Sequence, residues 1–397
     1  MENQIAKIYL KRKKDNFVRR FHPWIFSGAI QRIDGAVEDG AVVEVYSHQD
    51  EFLAIGHYHE GSIAVKIISF EQQNIDLDFW YAKLSKAYAL RQRLFEDAPE
   101  NKAFRLIHGE GDGLPGLIID VYATTVVFQA HTIGMYRARH TIVEALIQLL
   151  GSSIKAIYDK SKKSLPPVYA QNVENAYLWG QHQHNTTVID ENGALFSVNW
   201  SSGQKTGFFL DQRDNRLRLS DYVRGKRVLN AFCYSGGFSI FALKAGAAEV
   251  HSVDASAKAM ALVEQNLGLN DLQTDRHYAY TEDVLKFLKT QTEAFDVMVL
   301  DPPAFAKSVA KRHKAVQAYK RLNADGLRLI KSGGILFTFS CSQVVDNQLF
   351  YNTITAAAIE AKRKVRVLHR LTQPADHPVN IFHPEGNYLK GLVLYIE

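Results

Sequence analysis

The most restrictive feature of this chain is the alternation that begins near Gly225. From there, apolar runs of strand length (KRVLNAF, EVHSVD, DVMVLD, GGILFTFS) alternate with helical patterns; a short strand is expected near 277–280, a helix near 346–362, and two strands at the end. Parallel strands need a crossover of a dozen or more residues, usually a helix, so this alternation predicts a mostly parallel sheet. The expected fold is α/β and doubly wound. In such sheets ligands bind outside the C-terminal strand ends, so the chemistry is to be sought there.

The first half reads differently. Residues 41–69 give short alternating strands (AVVEVYS, FLAIGHYH, SIAVKIIS) punctuated by Gly40, Gly56 and Gly61, a small β domain introduced by a basic arm and HPWIFSGAI. Over 76–95 the period changes to helical, with Trp80, Leu84, Tyr88, Arg91 and Phe95 on one face. RLIHGEGDGLPGLIIDVY then reads as a glycine-rich turn feeding a strand, followed by TTVVFQAH and a helix near 135–150, which makes the middle domain α+β. After QHQHNT, which has linker character, a hairpin turns at Asn192-Gly193, a pair that accepts positive φ at both central positions. The boundaries expected are 1–72, 73–180 and 181–397. No internal repeat is visible.

Composition matters mainly through where the charge lies. Residues 1–20 hold seven Lys/Arg against two acids, which leaves 40 of each sign elsewhere, so the net +5 sits entirely at the N-terminus. Residues 304–331 carry eight basic side chains against Asp325 alone, and Lys362, Arg363, Lys364, Arg366 and Arg370 form a third cluster. Such clusters suit a phosphate backbone, although solvated helix faces look the same. No apolar run is long enough to span a membrane and no secretory h-region opens the chain, so a cytoplasmic protein is expected. With only Cys233 and Cys341, neither a disulfide framework nor a cysteine-rich metal site can be built, and no metal is expected.

At the first strand end, NAFCYSGGFS places Gly236 and Gly237 at the start of a helix. This is not the GxGxxG that admits a pyrophosphate, which argues against a nicotinamide dehydrogenase and suits a nucleoside ligand, or else a plain tight turn. Asp254 ends the second strand eighteen residues past Gly236, where a carboxylate can accept from ribose hydroxyls or cap the helix that follows. Asp283, after the third strand, has the same two readings with adenine in place of ribose. VMVLDPPAF puts Asp301 at the end of the fourth strand, where two prolines keep the following backbone extended. KTGFFLDQRDNR (205–216) reads as a helix start with Asp211 as its cap.

Taken in order, NAFCYSGG, VDAS, LDPPAF and TFSCS resemble class I S-adenosylmethionine-dependent methyltransferases, specifically the RlmI-like family of ribosomal RNA large-subunit cytosine-C5 methyltransferases. HPWIFSGAI resembles that family's PUA RNA-binding domain, GEGDGLPGLIIDVY its central domain, and KTGFFLDQRDNR and HPVNIFHPEGNYLKGL the segments flanking its catalytic sheet. Two departures are Lys66, where an arginine is expected, and IYDKSKKSLPP, which is shorter than the family's segment.

The resemblance implies S-adenosylmethionine as cofactor and 23S ribosomal RNA as partner, with no membrane; self-association into a homodimer is compatible with it. It assigns Phe232, Tyr234, Ser235, Gly236 and Gly237 to the methionine moiety, Asp254 to the ribose and Asp283 to the adenine. Gln212 and Lys205 would cover the cofactor, with Asp301 touching both cofactor and base, and Pro302, Pro303 and Phe305 holding the base.

The reaction implied turns on Cys341. Cytosine C5 is too weak a nucleophile to take a methyl group unaided, so a thiolate must first add at C6 and later leave. Cys341 follows the fifth strand, next to the fourth in such folds and hence near Asp301, which could orient the base. Cys233 is read as packing. DPPAF also resembles the (Asn/Asp)-Pro-Pro-aromatic motif of amino-methyltransferases, which leaves methylation of a base nitrogen open, as does a non-catalytic RNA-binding assembly factor.

Overall fold

The computed structural model describes residues 5–272, 274–306 and 308–397. Lys307 of the basic stretch lies outside them. Two compact units are formed: Met1–Ile189, Val198–Leu210 and Ala375–Gly386 make the first, while Asp190–Ser197, Asp211–Pro374 and Asn387–Glu397 make the second. No described helix is long and apolar enough to cross a membrane.

The first unit opens with a six-stranded sheet of β1 (Ala6–Leu10), β2 (Trp24–Phe26), β3 (Ile30–Asp34), β4 (Val42–Tyr46), β5 (Phe52–Tyr58) and β6 (Ile63–Ser69). The expected basic arm is in part a strand. AKIYL alternates, so Ile8 and Leu10 are fully buried and β1 runs parallel to β4, while the cations at 11–14 sit exposed in the turn that follows.

A second sheet holds β7 (Ala103–His108), β8 (Leu117–Tyr122), β9 (Thr125–Ala130), β10 (Ala156–Asp159) and β11 (Ala176–Gly180), in the order β11-β10-β9-β8-β7. The helix Leu77–Leu94 buries Phe79, Trp80, Leu84 and Ala87. Ile55 and Ile68 of the first sheet join that same apolar cluster, so the two sheets share a core. Arg91, on the inward face, is compensated: its guanidinium donates to Asp112 at 2.5 and 2.8 Å and to the carbonyls of Arg105 and Asp376 at 2.8 Å each. Close packing also fixes Gly134, where a Cβ would lie 2.3 Å from Cγ of buried His57.

The hairpin β12 (Thr186–Glu191) and β13 (Ala194–Asn199) turns as its sequence predicts, with φ of 51° at Asn192 and 78° at Gly193. Asn266 and Asn270, on the helix Ala257–Leu269 and just past it, bond its backbone: their side-chain oxygens accept from the Ser197 and Leu195 amides at 2.8 and 2.9 Å.

In the second unit, β14 (Arg227–Ala231), β15 (Glu249–Asp254), β16 (His277–Thr281), β17 (Phe295–Leu300), β18 (Ile330–Ser340), β19 (Val365–Leu371) and β20 (Lys390–Ile396) form one sheet, ordered β16-β15-β14-β17-β18-β20-β19. β14 to β18 are mutually parallel, and β20 runs antiparallel between β18 and β19. This is the doubly wound sheet expected. Both its faces are covered, so the central strands are apolar throughout, with Val228, Leu229, Ala231 and Val297 through Leu300 essentially fully buried. The insertion of β20 is not legible in the strand pattern, and it pairs Lys390 with Ser340.

Candidate active site

The ends of β14, β15, β17 and β18 lie along the C-terminal edge of the parallel strands. After β14 the chain makes a turn in which Phe232, Tyr234 and Gly236 all have positive φ, at 61°, 47° and 76°. Two of these are not glycine, and a left-handed conformation costs such residues roughly 1–2 kcal/mol each. Hydrogen bonds hold the turn in place. The Tyr234 amide donates to the Asp254 carboxylate at 3.0 Å, the Cys233 amide to the Val253 carbonyl at 3.1 Å, and the Asn266 side chain to the Ser235 carbonyl at 2.8 Å. Nothing in the sequence marked Phe232 and Tyr234 for this geometry.

Gly237 opens the helix Gly237–Lys244, where a Cβ would come 2.8 Å from Cδ of Arg216. That arginine is buried and pairs with buried Glu191 at 2.6 and 2.7 Å, so it is firmly fixed behind the turn.

Asp254 is not a helix cap. The cap of the following helix is Ser256, whose hydroxyl accepts from Ala259, while Asp254 anchors the Tyr234 and Ser256 amides, the latter at 2.9 Å. An anchored, half-buried carboxylate beside an irregular turn is an acceptor that fits the hydroxyls of a nucleoside ribose. Asp283 does cap its helix, accepting from the Lys286 amide at 3.0 Å. Cys233 packs against Met260, with sulfur atoms 3.6 Å apart, and burial followed by the charge of Asp254 pushes its thiol well above the usual range.

At the end of β17, Asp301 accepts from Nε2 of Gln212 at 2.9 Å, and Oε1 of Gln212 accepts from Asn215 at 2.6 Å. The fold thus joins two of the sequence-assigned residues 89 positions apart. Asp211 does not cap the helix Arg213–Leu219. A single 3-10 turn, Leu210–Gln212, intervenes, and the Asp211 carboxylate instead accepts from the Tyr388 hydroxyl at 2.7 Å. Lys205 belongs to the first unit, exposed, with φ of 48° and Nζ 4.9 Å over the Phe209 ring.

Residues 301–306 are free of helix, with Pro302 buried, Pro303 exposed and Phe305 half-buried. The Phe305 ring meets that of Tyr319 edge-on, 4.7 Å between centroids. The Ser342 hydroxyl donates to the Ala306 carbonyl at 2.7 Å, tying the segment after β18 to the one after β17. Between Ser340 and Ser342 stands Cys341, half-buried.

Two residues the sequence reading missed lie beside it. Tyr319, fully buried on the helix Arg312–Leu329, has a hydroxyl that makes no well-formed hydrogen bond among the described residues. Burial pushes it up to about 12; the charges of nearby Cys341 and Asp301 add to the rise, and the Ser340 hydroxyl opposes it. Lys390 is buried on β20 and donates from Nζ to the Ser342 carbonyl at 2.7 Å. Burial lowers its ammonium to about 8, while Cys341 and Asp346 work in the opposite sense. In sequence Tyr319 is one more apolar-face residue of a helix; only the lone cation at the head of KGLVLYI hinted at Lys390.

Family models match in two places: a PUA-like domain over residues 8–70 and an S-adenosylmethionine-dependent methyltransferase over residues 105–391. Ribosomal RNA large subunit methyltransferase I of Aeromonas hydrophila subsp. hydrophila is 40% identical over 395 residues, 98% of this chain and 99% of that protein. Two solved structures each cover 98% of this chain and 99% of their own at 26% identity. One is described as a SAM-dependent methyltransferase from Streptococcus mutans, with a TM-score of 0.83. The other is a methyltransferase complexed with SAH, with a TM-score of 0.84.

Proposed function

The chain belongs to the S-adenosylmethionine-dependent methyltransferases, with a PUA-like domain at its N-terminus, and from that premise we propose that it methylates C5 of a cytosine in large-subunit (23S) ribosomal RNA through a covalent adduct at Cys341. The observation that carries this reading is the presence of a half-buried thiol and an oriented carboxylate at the ends of two adjacent parallel strands, β18 and β17. The relatives' shared name supports the substrate class.

When bound, S-adenosylmethionine supplies a methyl group on a positively charged sulfur. On the chain's side, the turn 232–237 and Asp254 would hold that cofactor, with Asp283 assigned to the adenine. Asp301, held by Gln212, accepts a hydrogen bond from the cytosine amine or protonated N3 and steadies the charge that develops there. The helix-free Pro302–Pro303 segment and Phe305 would shape the base pocket.

The Cys341 electron pair would form the S–C6 bond, and the C5=C6 π pair would become the new C5–CH3 bond as the methyl–sulfonium bond breaks with its pair left on the departing, now neutral, sulfur. When the C5 proton leaves, its bonding pair restores C5=C6 and the C6–S pair returns to sulfur, so the thiolate is regenerated. The target must leave its stack, which costs a few kcal/mol when it is paired.

RNA carrying 5-fluorocytosine at the target tests the scheme, because fluorine cannot depart as a cation. The RNA should be methylated once and then remain bound through denaturing electrophoresis, with the adduct in the peptide containing Cys341 and dependent on S-adenosylmethionine. Efficient methylation of ordinary RNA without any trapped species would overturn the carbon mechanism in favour of transfer to a base nitrogen, the reading that Asp301-Pro302-Pro303 would otherwise favour. Absence of cofactor binding would leave only an RNA-binding assembly role.

A further inference from the structure

Lys390 is a lysine at 3% exposure in an otherwise apolar strand. An unpaired ammonium at such depth is costly, so a buried lysine calls for a compensating partner. Its Nζ donates at 2.7 Å to the carbonyl of Ser342, a neutral acceptor, which leaves two N–H donors for other partners. That carbonyl belongs to the residue next to Cys341, and Lys390 is the register partner of Ser340, the residue on its other side.

The pairing comes from the topology: β20 lies between β18 and β19, so the start of β20 meets the end of β18. Among the described residues, the other titratable groups around this point are Cys341 after β18, Asp346 capping the helix Asn347–Glu360, Tyr319 on the helix Arg312–Leu329 and Asp301 after β17. Of these, Cys341 and Asp346 interact electrostatically with the ammonium. Asp346 is already engaged, accepting from the Leu349 amide at 2.8 Å as the helix cap.

We propose that Lys390 is a positioning residue for the thiol, a buried cation that holds the Cys341 sulfur as a thiolate at neutral pH. The proposal rests on the reading of Cys341 as nucleophile only for its purpose, not for its measurement. In the ionisation the S–H pair stays on sulfur and the proton passes to water, while Lys390 keeps all three of its own. A cation beside a cysteine lowers its pKa in this way. The same charge then stabilises the sulfur when it leaves C6, because the departing group is again a thiolate. Lysine suits the position because its compact charge sits at the tip of a flexible stem that reaches from a buried strand.

The test is the pH dependence of Cys341 alkylation by iodoacetamide, followed by mass mapping on the full chain carrying Cys233→Ala. The unsubstituted lysine should give a midpoint below the ordinary thiol value of about 8.5. Lys390→Met should raise that midpoint by about one unit or more, with S-adenosylhomocysteine affinity retained as the check on folding. Lys390→Arg should restore most of the shift, whereas a purely structural role would leave the midpoint where it was in all three.

Equal midpoints in Lys390, Lys390→Met and Lys390→Arg would overturn the proposal. Should the Met variant fail to fold, the parent profile still decides it, since a midpoint at or above about 8.5 excludes a stabilised thiolate. A shifted profile together with normal methylation by Cys341→Ala would keep the ion pair and remove the covalent mechanism, so the two ideas fail separately.

Discussion

Asp254→Ala removes the acceptor that ties the left-handed turn to β15. The wild-type carboxylate takes two backbone amides, Tyr234 at 3.0 Å in a half-buried setting and Ser256 at 2.9 Å in an exposed one. A hydrogen bond to a charged group contributes about 1.5–3 kcal/mol when protected, and the exposed bond roughly 0.5 kcal/mol. Against this, the released turn can relax part of the strain stored at Phe232 and Tyr234, about 1–2 kcal/mol each. A net loss of about 1–2 kcal/mol is expected, which lowers the melting temperature by roughly 2–8 °C for a unit of this size. If the same carboxylate also receives ribose hydroxyls, cofactor affinity falls by a further 1.5–3 kcal/mol, or about 10- to 150-fold. Calorimetric titration with S-adenosylhomocysteine, beside scanning calorimetry of the free protein, separates the two effects. Asp254→Asn, which keeps one oxygen acceptor without the charge, should fall between. Unchanged affinity with the full drop in melting temperature would refute the ribose assignment and leave Asp254 as an anchor of the turn alone.

Cys341→Ala should retain S-adenosylhomocysteine binding and lose methyl transfer almost completely, whereas Cys233→Ala, which empties a buried niche against Met260, should stay active; normal turnover by the first variant excludes the thiol mechanism. Gly237→Ala should weaken cofactor binding because its methyl meets Arg216 at 2.8 Å, and an unchanged titration would show that the arginine yields. Neutralising Lys11, Arg12, Lys13 and Lys14 together should make the dependence of RNA affinity on salt shallower, by roughly 0.7–0.9 in logarithmic slope for each phosphate no longer neutralised; an unaltered slope would assign that turn to another partner. Burial, with nearby His59 adding to it, lowers His57 from the usual 6.5 to about 3. The folded protein therefore keeps His57 neutral, while the unfolded chain takes up a proton below pH 6.5. Its contribution to stability is complete above that value and is lost progressively as pH falls toward 3. Urea midpoints should decline from pH 7.5 to pH 5 less steeply in His57→Gln, and identical declines would refute the assignment.

The sequence by itself determined the doubly wound sheet, because alternation of apolar strand and amphipathic helix allows few other arrangements, and that alternation is local. It also determined the hairpin turn at Asn192-Gly193, whose positive φ values follow from residue type. That Asp254 and Asp301 stand at strand ends was readable because strand ends can be counted along the chain. The tertiary structure alone decided the rest. Whether a carboxylate capped, anchored or faced outward depended on one turn of backbone: Ser256 took the cap from Asp254, and a 3-10 turn freed Asp211 for Tyr388. Left-handed Phe232 and Tyr234 have no signature, because side chains that disfavour this conformation adopt it only when surrounding bonds impose it. Tyr319 and the place of Lys390, whose lone charge was the only hint, were not readable for a different reason: they reach the neighbourhood of Cys341 through the order of strands in the sheet and the packing of a helix on it, and a sequence pattern carries no record of which strand lies beside which.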